Sequence, residues 1–260
     1  MKTLTLLLSV PIFFGLSVAP VSAFNLPERL VYNISWAGIN AGIAVQEVTV
    51  QGHELHIVST VRSAGWLIRV FPVDDRTESL LSRGGPADIF ETSKLYREKI
   101  NEGRTHRLKE AQFDQTRLKV DTKDFLKNTE KSESISVRTF DNLSCLYFVR
   151  SSELVPGKSI YFDIYDCNKL WNTEVKVIRR EEISTPLGRF KTIVVQPQLK
   201  SEGIFARAGD ITIWLTDDPR RIPVMMTTKV KIGHITAMLV GGSYWGVSPN
   251  RREFRGSERR

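Results

Sequence analysis

Apolar and more polar residues alternate with a period of two along most of this chain, and that pattern restricts the possible folds more than any other feature. The first alternating segment ends at Gly38 and has its apolar positions at Leu30, Tyr32, Ile34 and Trp36. A period of two gives a strand one buried face, whereas a helix needs a period near 3.6. Similar segments recur to residue 240, separated by Gly, Pro and Asp. The alternation therefore predicts a chain made mainly of β-strands.

One segment departs from the alternation and has the spacing of a helix. Asp141 precedes it, Pro156 closes it, and the residues at helical spacing are Leu143, Leu146, Tyr147, Val149 and Arg150. We expect one short helix near residues 141–152, with Asp141 as its N-cap. About a dozen strands and one helix predict a single β domain over residues 24–248. In it, a large curved antiparallel sheet forms an open barrel or half-barrel, similar to a β-spiral.

The first 23 residues have the features of a secretory signal peptide. Lys2 precedes an apolar stretch over residues 4–18, and Val21-Ser22-Ala23 supplies the small-x-small pattern before Phe24. Two prolines disfavour the alternative, an uncleaved anchor helix. Because the cleavage region lacks cysteine, we expect a periplasmic protein with no lipid anchor and no transmembrane span after cleavage. That oxidising, ATP-free compartment argues against nucleotide-driven chemistry.

The positive charge of the chain is concentrated near its C-terminus. There are 37 Lys and Arg against 29 Asp and Glu, a formal net charge of +8. Residues 249–260 hold five arginines and two glutamates, and we expect them to form a disordered basic tail. The rest is only mildly basic, so nucleic acid is not an expected partner. The tail either attracts anionic lipid or glycan weakly or only keeps the protein soluble.

Short motifs follow one another along the chain in a specific order. They are Trp36-Ala37-Gly38, Pro72-Val73-Asp74-Asp75-Arg76, Asp141-x-Leu143-Ser144, Pro186-Leu187-Gly188-x-Phe190, and Ile213-Trp214-Leu215-Thr216-Asp217-Asp218 followed by Arg221-x-Pro223-Val224. In this order they resemble the bacterial domain-of-unknown-function family 3108 (DUF3108), over about residues 28–242. The resemblance implies an exported envelope protein of mostly antiparallel β structure. It implies no activity, catalytic residue or ligand.

Cys145 and Cys167 are the two cysteines of the chain. In an oxidising periplasm we expect them to form a disulfide, which would add on the order of 3 kcal/mol of stability by constraining the unfolded chain. Two alternatives stay open, namely two buried free thiols or a catalytic cysteine. The catalytic alternative has little support, because no histidine lies near either cysteine in sequence.

Two pairs of aspartates are the candidate catalytic residues. Asp74 and Asp75 precede Arg76, and Asp217 and Asp218 precede a proline and two arginines. Paired carboxylates beside cations can act as general acid and base, which would suit a hydrolase of envelope polymers. The same spacing is also that of charged turns, in which Asp–Arg pairs attach a loop to the rim of a sheet.

Other motifs for catalysis or cofactor binding are absent from the sequence. It has no nucleophile elbow, Walker loop, zinc-protease helix or metal-spaced set of Cys and His. His53 and His56 are three residues apart, which on a strand places them on opposite faces. We therefore expect no cofactor and no metal site, and we do not expect an enzyme.

Four residues are the candidates for ligand binding: Trp66, Arg76, Trp214 and Arg221. Trp214 shares the polar face of its strand with threonines, while the other face is aliphatic. A tryptophan in that position fits either a ligand groove or a covered sheet edge. The sequence does not predict the oligomeric state.

Three functions are compatible with these features. The first is a non-enzymatic periplasmic protein for envelope maintenance, which binds a lipid, a glycan or an envelope protein in the concavity of its sheet. The second is a hydrolase of envelope polymers, which requires two carboxylates that converge in one cleft. The third is a structural scaffold with a filled core.

Overall fold

The computed structural model describes residues 24–84, 90–198, 211–230 and 232–245. The predicted signal peptide and basic tail lie outside these residues. The strands are β1 (Glu28–Trp36), β2 (Ile39–Gln51), β3 (Glu54–Ser63), β4 (Asp74–Arg83), β5 (Phe90–Glu102), β6 (Thr105–Asp114), β7 (Lys119–Asp124), β8 (Thr129–Ser134), β9 (Ser159–Tyr165), β10 (Leu170–Thr185), β11 (Gly188–Pro197), β12 (Thr212–Thr216), β13 (Pro223–Lys229) and β14 (His234–Gly242). The helices are α1 (Gly65–Ile68) and α2 (Ser144–Ser151).

All fourteen strands belong to one antiparallel sheet, in the order β8-β7-β6-β5-β4-β3-β2-β1-β14-β13-β12-β11-β10-β9. The sheet curls so that strand β9, at one edge, approaches the strands at the other. The Tyr165 hydroxyl on β9 lies 2.8 Å from Oγ1 of Thr122 on β7. The two edge strands do not pair, so the sheet stays open. The predicted open half-barrel is confirmed.

Helix α2 occupies the predicted place but begins at Ser144, later than expected. Its N-cap is Leu143 and not Asp141. The Asp141 carboxylate accepts hydrogen bonds from the backbone N–H groups of Leu143 at 2.8 Å and Ser144 at 2.9 Å, so it holds the turn that leads into the helix.

Two further elements differ from the sequence prediction. Helix α1 was not expected, because only one helix was predicted. Strand β8 was also missed, because its residues Thr129–Ser134 are polar on both faces. An edge strand of this kind has no apolar alternation to reveal it.

The concavity of the sheet is filled by α2 and the segments beside it. Val149 of α2 packs into one apolar cluster with Phe162 and Ile193. Tyr147, on the same helix, packs into a second cluster with Phe24 and Phe90. The interior is thus a packed core, and not a cavity, where the helix lies.

The ends of the strands form two opposite rims. The upper rim holds the β1–β2, β3–β4, β5–β6 and β13–β14 connections, since Trp36 pairs with both Ile39 and Ile235 at the same end. The lower rim holds the β2–β3, β6–β7 and β12–β13 connections. Both Phe24 and the segment after β14 lie at the lower end of the sheet.

Candidate functional site

The two aspartate pairs lie at opposite ends of the sheet. Asp74 and Asp75 begin β4 at the upper rim, whereas Asp217 and Asp218 follow β12 at the lower rim. Strands β3, β2, β1, β14 and β13 separate β4 from β12. A hydrolase that uses one pair as acid and the other as base is therefore not supported, because the pairs do not share a cleft.

The lower pair holds a turn together. Asp217 accepts hydrogen bonds from Arg180 at 2.8 Å and from Arg221 at 2.9 Å. Burial raises the pKa of Asp217, but these two bonds outweigh it and hold the pKa below its usual value. Asp218 pairs in the same way with Arg220 at 2.6 Å. Arg221 is therefore a structural partner of the turn.

The four predicted ligand-binding residues are not brought together. Arg76 is paired with Glu78 on its own strand, away from Arg221 at the lower rim. Trp214 is half-buried, and its indole N–H donates to Oε1 of Glu181 at 2.6 Å. The predicted covered sheet edge is wrong for Trp214, because β12 pairs with a strand on each side and the indole packs against the cluster that contains Leu30. Trp66 is on α1 at the upper rim, at the opposite end of the sheet from Arg221.

The predicted disulfide does not form in the structure, in which both cysteines are free thiols. Cys145 packs against the cluster that contains Phe140, whereas Cys167 is buried in another cluster, with Tyr96. Burial raises the pKa of the Cys145 thiol to about 12 and moves that of Cys167 upward as well. Both side chains are then neutral thiols near pH 7, which argues against a catalytic cysteine.

An exposed band of apolar side chains runs along the upper rim. We call it the apolar rim, and it consists of Ile39, Trp66, Ile68, Val70, Phe71 and Ile232. These residues are between 41% and 75% exposed. Phe125 and Leu126, in the β7–β8 turn at the same end, are exposed too. Most of the large exposed apolar residues among the described residues are therefore at one end of the molecule.

Hydrogen bonds join the three connections that carry the apolar rim to one another and to the β5–β6 turn. The Trp66 indole N–H donates to the carbonyl of Asn40 at 2.7 Å, and the Trp36 indole N–H donates to that of Ile232 at 2.7 Å. The Gly103 backbone N–H donates to the carbonyl of Pro72 at 2.8 Å. The connections therefore form one continuous surface.

The β1–β2 turn shows how the sequence shapes this surface. Its two central residues, Ala37 and Gly38, both have positive φ, at 48° and 85°. A two-residue turn with this geometry matches the twist of the strands that it joins. It places Trp36 opposite Ile39 at the upper end of the sheet. Trp36, which the alternation suggested as a core residue, is only half-buried there.

Basic residues border the apolar rim. Arg69, Arg104 and Lys229 are exposed at its turns. The exposed carboxylate of Asp74 lies 3.3 Å from the guanidinium of Arg62, so that pair is close to neutral. Arg69 and Arg104 therefore place positive charge beside the apolar side chains.

A group of charged side chains is buried just behind the rim. Glu102 is next to Asp75, which accepts a hydrogen bond from the Asn101 backbone N–H at 2.7 Å. Burial and then the neighbouring Asp75 raise the pKa of Glu102 to about 8. Arg107 lies 3.5 Å from Glu98 on the adjacent strand. The described residues contain no group of three or more His, Cys, Asp or Glu placed to hold a metal ion.

A buried ion pair lies near the lower end. Arg150 of α2 donates to both carboxylate oxygens of Glu28 on β1, at 2.7 Å each, and both side chains are 0% exposed. The Tyr244 hydroxyl donates to the same carboxylate at 2.7 Å. The guanidinium also lies 4.6 Å from the ring centre of Phe24. The pair attaches the helix to the first strand and to the segment after the last.

Hollows on β5–β7 are lined mainly by polar side chains. One of about 580 Å³ is bounded by Ser93, Lys94, Gln112 and Asp114 among others. Another, of about 510 Å³, is bounded by Glu110, Lys123 and other polar residues. Neither resembles the apolar cavity that a hydrophobic ligand in the concavity would need.

Comparison with known proteins gives the family. The model of DUF3108, a protein of unknown function, matches residues 31–240. The chain belongs to the DUF3108 family. The resemblance seen in its sequence motifs is confirmed. No curated protein matches this DUF3108 chain.

A solved structure shares the architecture, and two others align less well. A β-barrel-like protein of domain of unknown function DUF1849 from Brucella abortus aligns with a TM-score of 0.54 at 13% identity, over 84% of this chain and 97% of its own. At that identity the similarity shows the fold alone. Protein CT021 from Chlamydia trachomatis aligns with a TM-score of 0.38 at 5% identity, over 86% of this chain and 89% of its own. A protein with a YmcC-like fold from Bacteroides fragilis, described as exported, aligns with a TM-score of 0.30 at 11% identity, over 84% of this chain and 95% of its own.

Sequence reasoning identified one member of the apolar rim, Trp66, and missed the others. Ile68, Val70 and Phe71 lie in the β3–β4 connection and Ile232 lies in the β13–β14 turn, where the alternation of strand residues carries no information. Large apolar residues inside turns are the signal that would have found them, since turns are mostly polar. In the described part of the chain, no helix is long and apolar enough to span a membrane.

Proposed function

We propose that this DUF3108 protein is an exported, non-catalytic envelope protein that binds a hydrophobic component of the envelope through its apolar rim. The observation that carries the proposal is the band of six exposed apolar side chains on or beside three connected turns. Contiguous exposed apolar surface on a folded protein marks an interaction site. The N-terminal sequence pattern supports export to the periplasm.

The filled interior moves the expected binding site from the concavity to the rim. Helix α2 occupies the space that a ligand inside the sheet would need, because its Tyr147 and Val149 belong to the packed clusters. The separation of the aspartate pairs supports a binding role over hydrolysis. Re-covering one half-exposed apolar side chain is worth about 1 kcal/mol, so the six together offer about 6 kcal/mol before the cost of association.

A photocrosslinking experiment in cells tests the proposal. A photoreactive phenylalanine analogue replaces Trp66 in one variant and Tyr161 in a matched control, because Tyr161 is also an exposed aromatic residue but lies on the edge strand β9. We expect adducts with an envelope component at Trp66 and not at Tyr161. Equal adducts at both positions, none at Trp66, or adducts only within the chain itself would contradict a binding role for the rim. The last two results would favour the structural scaffold.

A further inference from the structure

We infer that the partner of the apolar rim is the surface of an anionic lipid bilayer, into which its six apolar side chains insert. The inference rests on the proposed function and makes it specific. It depends on the shape of the rim, on the state of its polar groups and on its charge.

The rim has the shape of a projecting edge. Its residues lie on turns at the ends of strands, and Val70 and Ile232 are 75% and 70% exposed. Residues that line a groove for a peptide would be more enclosed than this. Apolar side chains at the tips of neighbouring turns suit a partner that is broad and flat, as a bilayer surface is.

The indole groups at the rim enter an apolar region at little cost. A buried N–H without a partner loses free energy, but the N–H groups of Trp66 and Trp36 already donate to carbonyls of Asn40 and Ile232 within the protein. Their rings can therefore leave water without leaving a donor unpaired. Tryptophan is also the residue type that favours the boundary between lipid and water.

The charge around the rim complements an anionic surface. Arg69 and Arg104 are exposed at the turns, and the exposed Asp74 is offset by Arg62. Asp75 and Glu102 carry further carboxyl groups, but they are buried behind the rim, where Arg107 is their neighbour. The positive groups are thus the ones that would face the lipid head groups.

The ends of the chain do not account for the exposed surface. Phe24 and the segment after β14 lie at the lower end, a strand length away from the apolar rim. Residues 249–260 contain five arginines and one phenylalanine, which is too little apolar surface to cover six side chains. A bilayer is therefore favoured over the tail of this chain as the occupant.

Vesicle flotation with the full exported chain tests the inference. Phosphatidylethanolamine vesicles with and without phosphatidylglycerol are the probes. Val70→Ser together with Ile232→Ser should lower the partition coefficient on phosphatidylglycerol vesicles at least about tenfold. Val137→Ser is the matched control, since Val137 is 73% exposed but lies off the rim, and it should change nothing. Arg69→Gln should lower partition about fivefold on the anionic vesicles alone.

Each outcome has a clear meaning. The arginine-rich tail is present in every variant, so its own attraction to anionic lipid cancels in the comparison. Absence of binding, or equal loss in the Val70/Ile232 variant and the Val137 variant, overturns the membrane inference. If crosslinks at Trp66 persist in that case, the proposed function stands with a protein or glycan partner. If crosslinks at Trp66 are absent as well, the membrane inference and the proposed function both fail. Matching thermal unfolding curves establish that all the variants are folded.

Discussion

Replacing Arg150 with methionine should destabilise the protein by about 3–5 kcal/mol, because the change leaves the carboxylate of Glu28 buried without its cation. Both side chains are 0% exposed in the folded protein, and two hydrogen bonds of 2.7 Å join them. After the substitution the carboxylate keeps the Tyr244 hydroxyl at 2.7 Å, and Tyr147 lies farther away at 3.5 Å. Those neutral donors replace only part of what the guanidinium supplies.

The size of the loss distinguishes a buried charge from a lost packing contact. Methionine keeps most of the volume of the arginine stem, so a pure packing change should cost less than about 1.5 kcal/mol. The double variant Glu28→Leu with Arg150→Met removes both charges and should recover most of the loss, since an apolar pair of similar volume is often as stable as the ion pair. Glu28→Leu alone should be strongly destabilising, because it leaves Arg150 with only the Arg220 carbonyl, at 3.1 Å, as a hydrogen-bond acceptor.

Urea denaturation followed by tryptophan fluorescence and circular dichroism measures these differences. The midpoint should fall while the slope stays unchanged, because the extent of the folded structure is the same. A loss of less than about 1 kcal/mol in Arg150→Met would contradict a buried unpaired charge. A double variant that lost the sum of the two single losses would also contradict it, because the charges would then act independently.

Three other measurements test the charged groups and thiols of the interior. The pKa of Glu102 is raised to about 8 from 4.5, so the folded state holds a proton that the unfolded state releases, and stability should fall as pH rises from 4.5 to 8. Glu102→Gln should flatten that slope in thermal melts and add roughly 1–2 kcal/mol at pH 8, allowing for partial solvent screening. Asp141→Ala should cost about 3 kcal/mol in urea melts, because four hydrogen bonds to its carboxylate are lost, whereas the exposed Asp121→Ala should change stability by less than about 0.5 kcal/mol. A thiol reagent should label Cys145 and Cys167 slowly in the folded protein and both of them in urea, and absence of labelling in urea would mean that they are bonded.

The alternation in the sequence predicted the architecture because it records which face of each strand is buried. Leu30 and Tyr32, on one face of β1, are both buried, as that pattern required. The polar strand β8 shows no apolar alternation, since neither of its faces is in the core. Its place is set by pairing with β7, which no local pattern expresses.

The contacts that matter most in the interior could not be predicted from local sequence. Glu28 and Arg150 are 122 residues apart, and they meet because the sheet curls around α2. The spacing of Cys145 and Cys167 in the sequence likewise does not predict that they lie in separate clusters. Curvature depends on the sum of many small twists along fourteen strands, so it decides these contacts without a signature at any one residue.

The two ends of the sheet divide stability and binding between them. The lower end holds the buried Glu28–Arg150 pair and the described ends of the chain, whereas the upper end holds exposed apolar side chains on turns. Exposed residues contribute little to the free energy of unfolding, and the buried pair does not reach the rim. Arg150→Met should therefore lower the urea midpoint while the fraction that remains folded binds vesicles as before. Val70→Ser with Ile232→Ser should leave the urea midpoint nearly unchanged and weaken vesicle binding. If the Arg150 variant, while still folded, also lost vesicle binding, the two ends would be coupled through α2, and the rim could no longer be treated as an independent surface.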